Sequence, residues 1–579
     1  MAKIKEGFYM FENRFDDFFT SKHQLDYKPE TMYQMLAAVA LKHPNDVAYE
    51  FQGKKTTYSE FINKIEVTAK ALYAIGIREN DAVTICMPNT PQAIDTFYAL
   101  NRIGAIANMI HPLSAQSEIT FYLNCSNSKA ILTLDMFYDK VVAARSECAN
   151  QTIIIMAKII DELPVYLKPL YALKQGNKYN HLPNKSYSLV WNKFIEMGQR
   201  YPLPLPKNEF KIDKCSVILY SGGTTGTTKG IMLSDLNFNA LSMQSLKAMG
   251  IKIQPKDSIL AAMPIFHGFG LGIGIHTCLT NAITCSLMPT FNVKTYGYTL
   301  LHRKPNFIAG VPTLFEALLR TEGMDKADLS FLKGMYSGGD SLSIELKNKV
   351  DTFLKQHNAK IQVCEGYGTT ECVTASCLTP KDKYKEGSIG LPYPDTTFVI
   401  CEVGTTNQLE AKVEGEICLS GPTVMLGYLN NPEETANTLK IHADGKVYLH
   451  TGDLGYMDEE GYVYFKQRIK RMIITSGYNV YPSQIENIID AHPKVLYSCV
   501  IGVKDTYRMQ RVKAFVVLKP NVIADNAIKQ EILQYCSKHI AKYAIPREIE
   551  FRDELPKTLV GKVAYRVLEQ QEEEKNQQG

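Results

Sequence analysis

The chain has 579 residues, 45% apolar and 21% charged, with 64 basic against 60 acidic side chains and a net charge of +4. That length is more than one compact core organises and points to several domain-sized units, with the composition of an ordinary globular enzyme. The near-balanced charge leaves no basic footprint for nucleic acid and excludes that class of partner.

The first residues carry Glu6, Glu12, Arg14, Asp16 and Asp17, which exclude a signal-peptide apolar core, and a cytoplasmic location is the expectation. Residues 1–30 are polar with aromatic spots and are expected to drape over the first domain. Thr31–Lys42 has apolar residues at helical spacing, Val47–Gln52 reads as a strand, and Ser59–Ile75 as a helix with Glu60 in its first turn. Ala82–Cys86, Gln92–Leu100 and Ala105–Ile110 continue as strand, helix and strand, an alternation that argues for α/β layers.

Asn150–Asn180 departs from that rhythm. Ile159, Leu163, Leu167, Leu170 and Tyr171 approximate an apolar helical stripe bordered by Lys158, Lys168, Lys174 and Lys178. Pro164 and Pro169 interrupt any continuous helix. A packed surface hairpin and a patch touching membrane or an apolar partner both remain open.

Ser216–Leu219 is a short β-rich run that enters Tyr220-Ser221-Gly222-Gly223-Thr224-Thr225-Gly226-Thr227-Thr228-Lys229-Gly230. Glycines bring backbone N–H groups against a ligand, hydroxyls add donors and Lys229 adds a cation, all suited to a polyphosphate. The stretch is not a Walker A loop, because Thr228 and Gly230 occupy the places flanking the lysine where that pattern needs Gly and Ser or Thr. Ile259–Thr280 is the most apolar long stretch, but Pro264, His267 and alternating glycines argue against a membrane span.

Strands at Ile259–Met263, Phe307–Gly310, Gly334–Ser337 and Ile361–Cys364 each deliver unusual residues at their C-terminal ends, where ligands sit in α/β sheets. Pro394–Leu429 turns β-rich and predicts a small subdomain. Charge density rises at Lys466–Met472, and a compact α+β unit of about one hundred residues follows. Glu569–Gly579 reads as a solvated tail. Of the thirteen cysteines, none falls in a C-x-x-C pair, and Cys364, Cys372 and Cys377 are irregularly spaced without nearby histidines. They read as reduced thiols, not as a zinc site or a disulfide framework.

In order, these motifs resemble the superfamily of acyl-CoA synthetases, adenylation domains and luciferases, over about residues 40–565. The similarity is strongest to fatty-acyl-CoA synthetases, through Gly222-Gly223 and Val480-Tyr481-Pro482. The resemblance implies an α/β fold: a large N-terminal adenylate-forming domain (1–469) of layered subdomains, one of them β-rich, and a small mobile α+β domain (470–579). It implies a ligase that joins a carboxylic acid to AMP from ATP, releases pyrophosphate and passes the acyl group to coenzyme A. Ser221 to Lys229 would clamp the phosphates, and Glu371 would hold Mg²⁺, which prefers hard oxygen ligands. Tyr367 would stack on adenine, next to Gly338, Gly339, Asp340, Gly368 and Thr369. Asp453 would hold the ribose hydroxyls, and Arg468 would contact the nucleotide.

Lys562 matches the catalytic lysine, and Lys470 the hinge about which the small domain turns. His267 matches a gate beside an acyl pocket lined by Gly310, Val311, Pro312 and Gly366, while Gly477 and Tyr478 would face the thiol. The glycines at 268, 270, 272 and 274 are read as making room for a long chain, with close helix packing as the other option. Departures lie at Thr228, Asp340, Gln467 and Met509-Gln510, none of which removes a charged group from the chemistry. A carrier-protein-loading ligase, an aryl-CoA ligase and a non-catalytic nucleotide sensor are the competing readings. An amino-acid-adenylating domain is disfavoured, since no acid to pair an α-amine follows His267. Chain length and oligomeric state, a homodimer included, are left open.

Overall fold

A computed structural model describes residues 18–175, 185–221, 228–289, 293–475, 478–505, 508–558 and 562–578. Among these, two large sheets form the N-terminal body. One runs, by strand, Gly427–Tyr428, Lys229–Ser234, Cys215–Ser221, Ile106–Met109, Ala82–Cys86, Ala130–Leu134, Ile153–Ala157 and Ser188–Val190. The pairs from Cys215–Ser221 outward through Ser188–Val190 are parallel, and on the other side Lys229–Ser234 and then the edge strand Gly427–Tyr428 add antiparallel. The second sheet centres on Ser258–Ala261, Phe307–Gly310, Gly334–Ser337 and Val363–Tyr367, paired in parallel.

Helices packed between the sheets make the core. Pro91–Arg102 buries every residue from Pro91 to Asn101, and Asp235–Met249 lies against a π-helical segment, Phe269–Thr277. Two polar side chains in this layer are well paired, as burial favours. The buried Asp235 accepts from the Met32 N–H, the Asn101 amide and the Ser216 hydroxyl. His276 is held between the Tyr98 hydroxyl and Asn239, each at 3.0 Å. The first helix starts where the sequence places it, with a Thr31/Gln34 capping box. The segment from Gln24 to Tyr27 folds onto Asp395, as expected of a draped N-terminal stretch.

Three expectations need correction. The β-rich unit does not stop at Leu429. Its five strands are Thr397–Cys401, Gly415–Ser420, Leu439–Ile441, Val447–Met457 and Val463–Arg468, while Gly427–Tyr428 leaves to pair with Lys229–Ser234. The acidic run after 565 is not a solvated tail: Tyr565–Gln578 is a helix. Its Leu568 is buried, and Glu572 meets the buried Lys513, which also binds Glu548 and Glu550. A polar run buries where its acids compensate a buried cation.

The glycines after His267 do not open space. A β-carbon at Gly268 would stand 1.8 Å from the Val373 carbonyl oxygen, one at Gly270 2.1 Å from the Pro264 oxygen, and one at Gly272 2.6 Å from Leu241. They permit close packing; Gly274 alone of the four has room, with its nearest neighbour at 3.9 Å.

The C-terminal unit has its own sheet, with Val495–Asp505 and Met509–Leu518 as a long hairpin and Glu548–Phe551 parallel to it. Its apolar clusters are separate from the main core. The helix Asn526–His539 is capped by Asp525.

Candidate active site

The site forms where parallel strands of the second sheet end, facing the small domain. Val363–Tyr367 carries Tyr367 as its last residue, and a 3-10 turn at Thr370–Cys372 then presents Glu371. The buried Thr369 supports that turn, its carbonyl accepting from Cys372 N–H at 3.1 Å. Val373, at φ 64° and ψ −59°, closes a tight turn in which Thr374 N–H reaches the Cys372 carbonyl at 2.8 Å. A β-branched residue in that conformation is strained, and such strain gathers at functional sites. At Gly368 a β-carbon would meet the Thr374 oxygen at 2.2 Å, so only glycine fits there.

Asp453 and Arg468 sit directly opposite each other on adjacent antiparallel strands. Arg468 Nε lies 3.2 Å from Asp453 Oδ1, and the Tyr367 hydroxyl donates to Oδ2 at 2.7 Å. Asp453 is 1% exposed, and burial raises its carboxyl above the usual range against the pull of Arg468. Its Oδ1 accepts no hydrogen bond, which fits an acceptor for a sugar hydroxyl. Glu371 accepts from the Tyr428 hydroxyl at 2.8 Å. Lys229 lies over the Tyr428 ring at 4.8 Å and pairs with Glu434. Tyr428 and Glu434 were not singled out in the sequence. They arrive through the edge strand paired to Lys229–Ser234, a partnership that no local spacing signals.

Lys562 enters from the small domain. Its backbone is fixed by Thr558, whose N–H reaches the Lys562 carbonyl at 2.7 Å and whose hydroxyl takes the Lys562 N–H at 3.1 Å. Its Cε lies 3.7 Å from where a β-carbon would stand on Gly339, a residue at φ 81°. Burial lowers the Lys562 ammonium from its ordinary range, with Asp340 and Asp453 pulling it back up and Arg468 adding to the depression. Asp340 is exposed and accepts from the Ser341 N–H. His267 is held neutral, at about 3, by burial and then by the nearby Lys562 charge; its Nδ1 accepts from Phe269 N–H at 3.1 Å. The loop before it is shaped by the buried Asn89, also missed in the sequence, whose amide donates to the Ala261 and Met263 carbonyls and accepts from Ile265 N–H.

An apolar cavity is lined by Gly338, Gly339 and Gly366, by Leu246 and Met249 of Asp235–Met249, by residues of the π-helical segment and by Ile283. Gly366 is therefore in its wall, whereas His267, Gly310, Val311 and Pro312 lie outside that lining. Gly310 packs against Leu314, and Pro312 starts the helix Pro312–Leu319. Ser221 faces Lys229 across the strand pair. Gly222, Gly223, Thr224, Thr225, Gly226 and Gly477 lie outside the described residues, Tyr478 opens the strand Tyr478–Val480, and Lys470 is exposed in the 3-10 turn Ile469–Arg471 that links the two units.

Known proteins resemble this chain over most of its length. Residues 36–429 fit the model of the AMP-binding enzyme family, and residues 484–562 fit that of the AMP-binding enzyme C-terminal domain. A long-chain-fatty-acid–CoA ligase of Bacillus subtilis is 34% identical over 95% of this chain and 96% of its own. A protein of the same name from Salmonella typhimurium is 30% identical over 93% and 94%. Among solved structures, an ATP-bound RpMatB-BxBclM chimera superposes with a TM-score of 0.81 at 25% identity, covering 93% of this chain and 98% of that one. The chain belongs to the AMP-binding enzyme family.

Proposed function

We propose that this chain is an AMP-forming fatty-acyl-CoA ligase: it activates a fatty acid with ATP to an acyl-adenylate and pyrophosphate, then transfers the acyl group to coenzyme A. One observation carries the reading: Gly339 both lines an apolar cavity and stands against Lys562. A carboxylate beside Gly339, with its alkyl chain in the cavity, would have its charge near the ammonium. Carboxylate and triphosphate repel, so attack at the α-phosphorus depends on cations fixed in place beforehand. Lys562, Arg468 and Lys229 supply them. Asp453 accepts from the ribose and Tyr367 lies beside the base. His267, being neutral, adds no charge next to the carboxylate. Glu371 is the carboxylate suited to Mg²⁺, which neutralises phosphate charge when bound.

The small domain, taken to begin at 470, is proposed to turn about Lys470 after adenylation, which withdraws Lys562 and brings 477–478 toward the thiol. The reaction is tested with ATP and a series of saturated fatty acids plus benzoate, following pyrophosphate release and then thioester formation with free coenzyme A. Release with the fatty acids and a thioester product support the proposal. No release with any fatty acid overturns it, faster turnover of benzoate favours an aryl-CoA ligase, and adenylate without thioester favours a carrier-loading ligase.

Membrane contact through 150–180 is a second, narrower proposal. Ile159, Ile160, Leu167 and Tyr171 pack on the core, which accounts for most of the apolar stripe. Val165, Tyr166, Leu170 and Leu173 instead stand 64–82% exposed around the short helix Lys168–Gln175. Exposed apolar groups beside lysine suit the surface of an anionic bilayer. Among the described residues no helix is long and apolar enough to cross a membrane. Co-sedimentation with vesicles containing phosphatidylglycerol tests the contact; sedimentation unchanged by Leu170→Ser/Leu173→Ser overturns it.

A further inference from the structure

Away from the active site, on the outer face of the β-rich subdomain, five metal-capable side chains come together that lie far apart in sequence. Cys401 ends the strand Thr397–Cys401, Glu416 and Cys418 lie on Gly415–Ser420, His450 lies on Val447–Met457, and His442 follows Leu439–Ile441. Strand pairing sets Cys401 opposite Glu416 and Cys418 opposite His450, so the period of two puts these side chains on one face. The ligand atoms of Cys401, Cys418 and His442 lie within 4.8 Å of one another. Both cysteines are 0% exposed and His442 4%. Tetrahedral zinc holds such atoms about 3.3–3.8 Å apart, a contraction within reach of side-chain rotation.

The hydrogen bonds determine which nitrogen is free. His450 Nδ1 is 2.9 Å from the Glu416 carboxylate, so Nδ1 carries the proton and Nε2 the lone pair. His450 Nε2 is 3.0 Å from His442 Nε2, so His442 donates from Nε2 and keeps its lone pair on Nδ1. That nitrogen is buried and has no hydrogen-bond partner. The ring is fixed by stacking on Tyr448 at 4.2 Å. One buried imidazole and two buried free thiols thus share the cluster, with Cys418 Sγ also 3.4 Å from His450 Nδ1, and their sulfur and nitrogen atoms select a soft cation over Mg²⁺.

We propose that Cys401, Cys418 and His442 form a site for one Zn²⁺-class ion, with His450 and Glu416 as positioning residues behind His442. Binding exchanges two thiol protons for the cation, and the two thiolates balance its charge, so the cluster stays neutral where a net charge would be costly. Glu416 also accepts from Gly452 N–H at 3.0 Å, one residue before Asp453. The ion would thereby pin the 442–446 turn to the strand that carries the ribose-binding acid.

The test uses full-length protein stripped with a chelator and titrated with Zn²⁺ against a chromophoric competitor, and with Co²⁺ by absorption. One tightly held equivalent and a thiolate-to-cobalt band are expected, with X-ray absorption showing two sulfur and two lighter ligands around the zinc. Glu416→Gln should weaken affinity about 10–100-fold, as for other residues that orient a ligand. No stoichiometric binding, or binding unchanged in C401S/C418S, overturns the proposal. Should that double variant fail to fold, a zinc shell without sulfur in the unmodified protein overturns it equally.

Discussion

Lys562 packs against Gly339 across the boundary between the two units, its Cε 3.7 Å from the position of a missing β-carbon. On the proposed mechanism, this contact belongs to the arrangement in which the carboxylate would meet ATP. Lys562→Ala should lower ATP–pyrophosphate exchange by about 10²–10³, the usual loss for one preorganised charge-stabilising group. Reaction of preformed acyl-adenylate with coenzyme A should persist. Equal loss of both half-reactions would contradict a lysine used in one step only.

Asp453→Asn separates binding from stability. Hydrogen bonds to a charged group contribute about 1.5–3 kcal/mol, so the KM for ATP should rise roughly 10–100-fold. Stability should move the other way. The folded-state pKa of Asp453 is raised, so ionisation penalises the folded state once pH climbs past the ordinary carboxylate range. A neutral amide removes that penalty, and thermal denaturation at pH 7 should show an unchanged or higher Tm. A clear fall in Tm would mean that pairing with Arg468 outweighs burial.

Two imidazoles contribute to stability on the acid side. His267 and His276 are held neutral at about 3. Their folded pKa values lie below the unfolded one, so stability is complete above about pH 6.5 and is lost as pH falls toward 3. The slope approaches about 1.4 kcal/mol per pH unit for each group. Urea midpoints at pH 7.5 and 5.0 measure it. His276→Gln should flatten the dependence; an unchanged slope would assign it to other groups.

Gly268→Ala should destabilise by roughly 1–3 kcal/mol, because the new methyl meets a backbone oxygen that cannot turn aside. Gly274→Ala, six residues on, should stay within about 0.5 kcal/mol. Urea midpoints for the pair decide whether these glycines serve packing, as the distances indicate, or leave space for the acyl chain, as their spacing suggests.

Much of the site was legible in the chain. Tyr367, Glu371, Asp453, Arg468 and Lys562 occur in short ordered motifs, and the fold gathers them near Asp453. Legibility fails where a residue's role depends on which strand lies next to it. Tyr428 and Glu434 reach Lys229 only because a two-residue strand joins the sheet edge. The four cysteine and histidine side chains on the β-rich face are spread over fifty residues and meet only through strand register. The glycine stripe was ambiguous because spacing alone cannot distinguish space for a ligand from space for a backbone. The acidic run after 565 misled for a similar reason: charge predicts exposure unless a buried partner such as Lys513 lies opposite.

That last helix has a practical use. Tyr565–Gln578 begins three residues after Lys562 and is held to the small domain by Leu568 and by the Glu572 link to Lys513. The helix and the lysine should therefore travel together as one lever. A dye on the exposed Gln570, paired with another on the large domain, would convert the swing of the small domain into a distance change readable in real time, without touching the reacting groups.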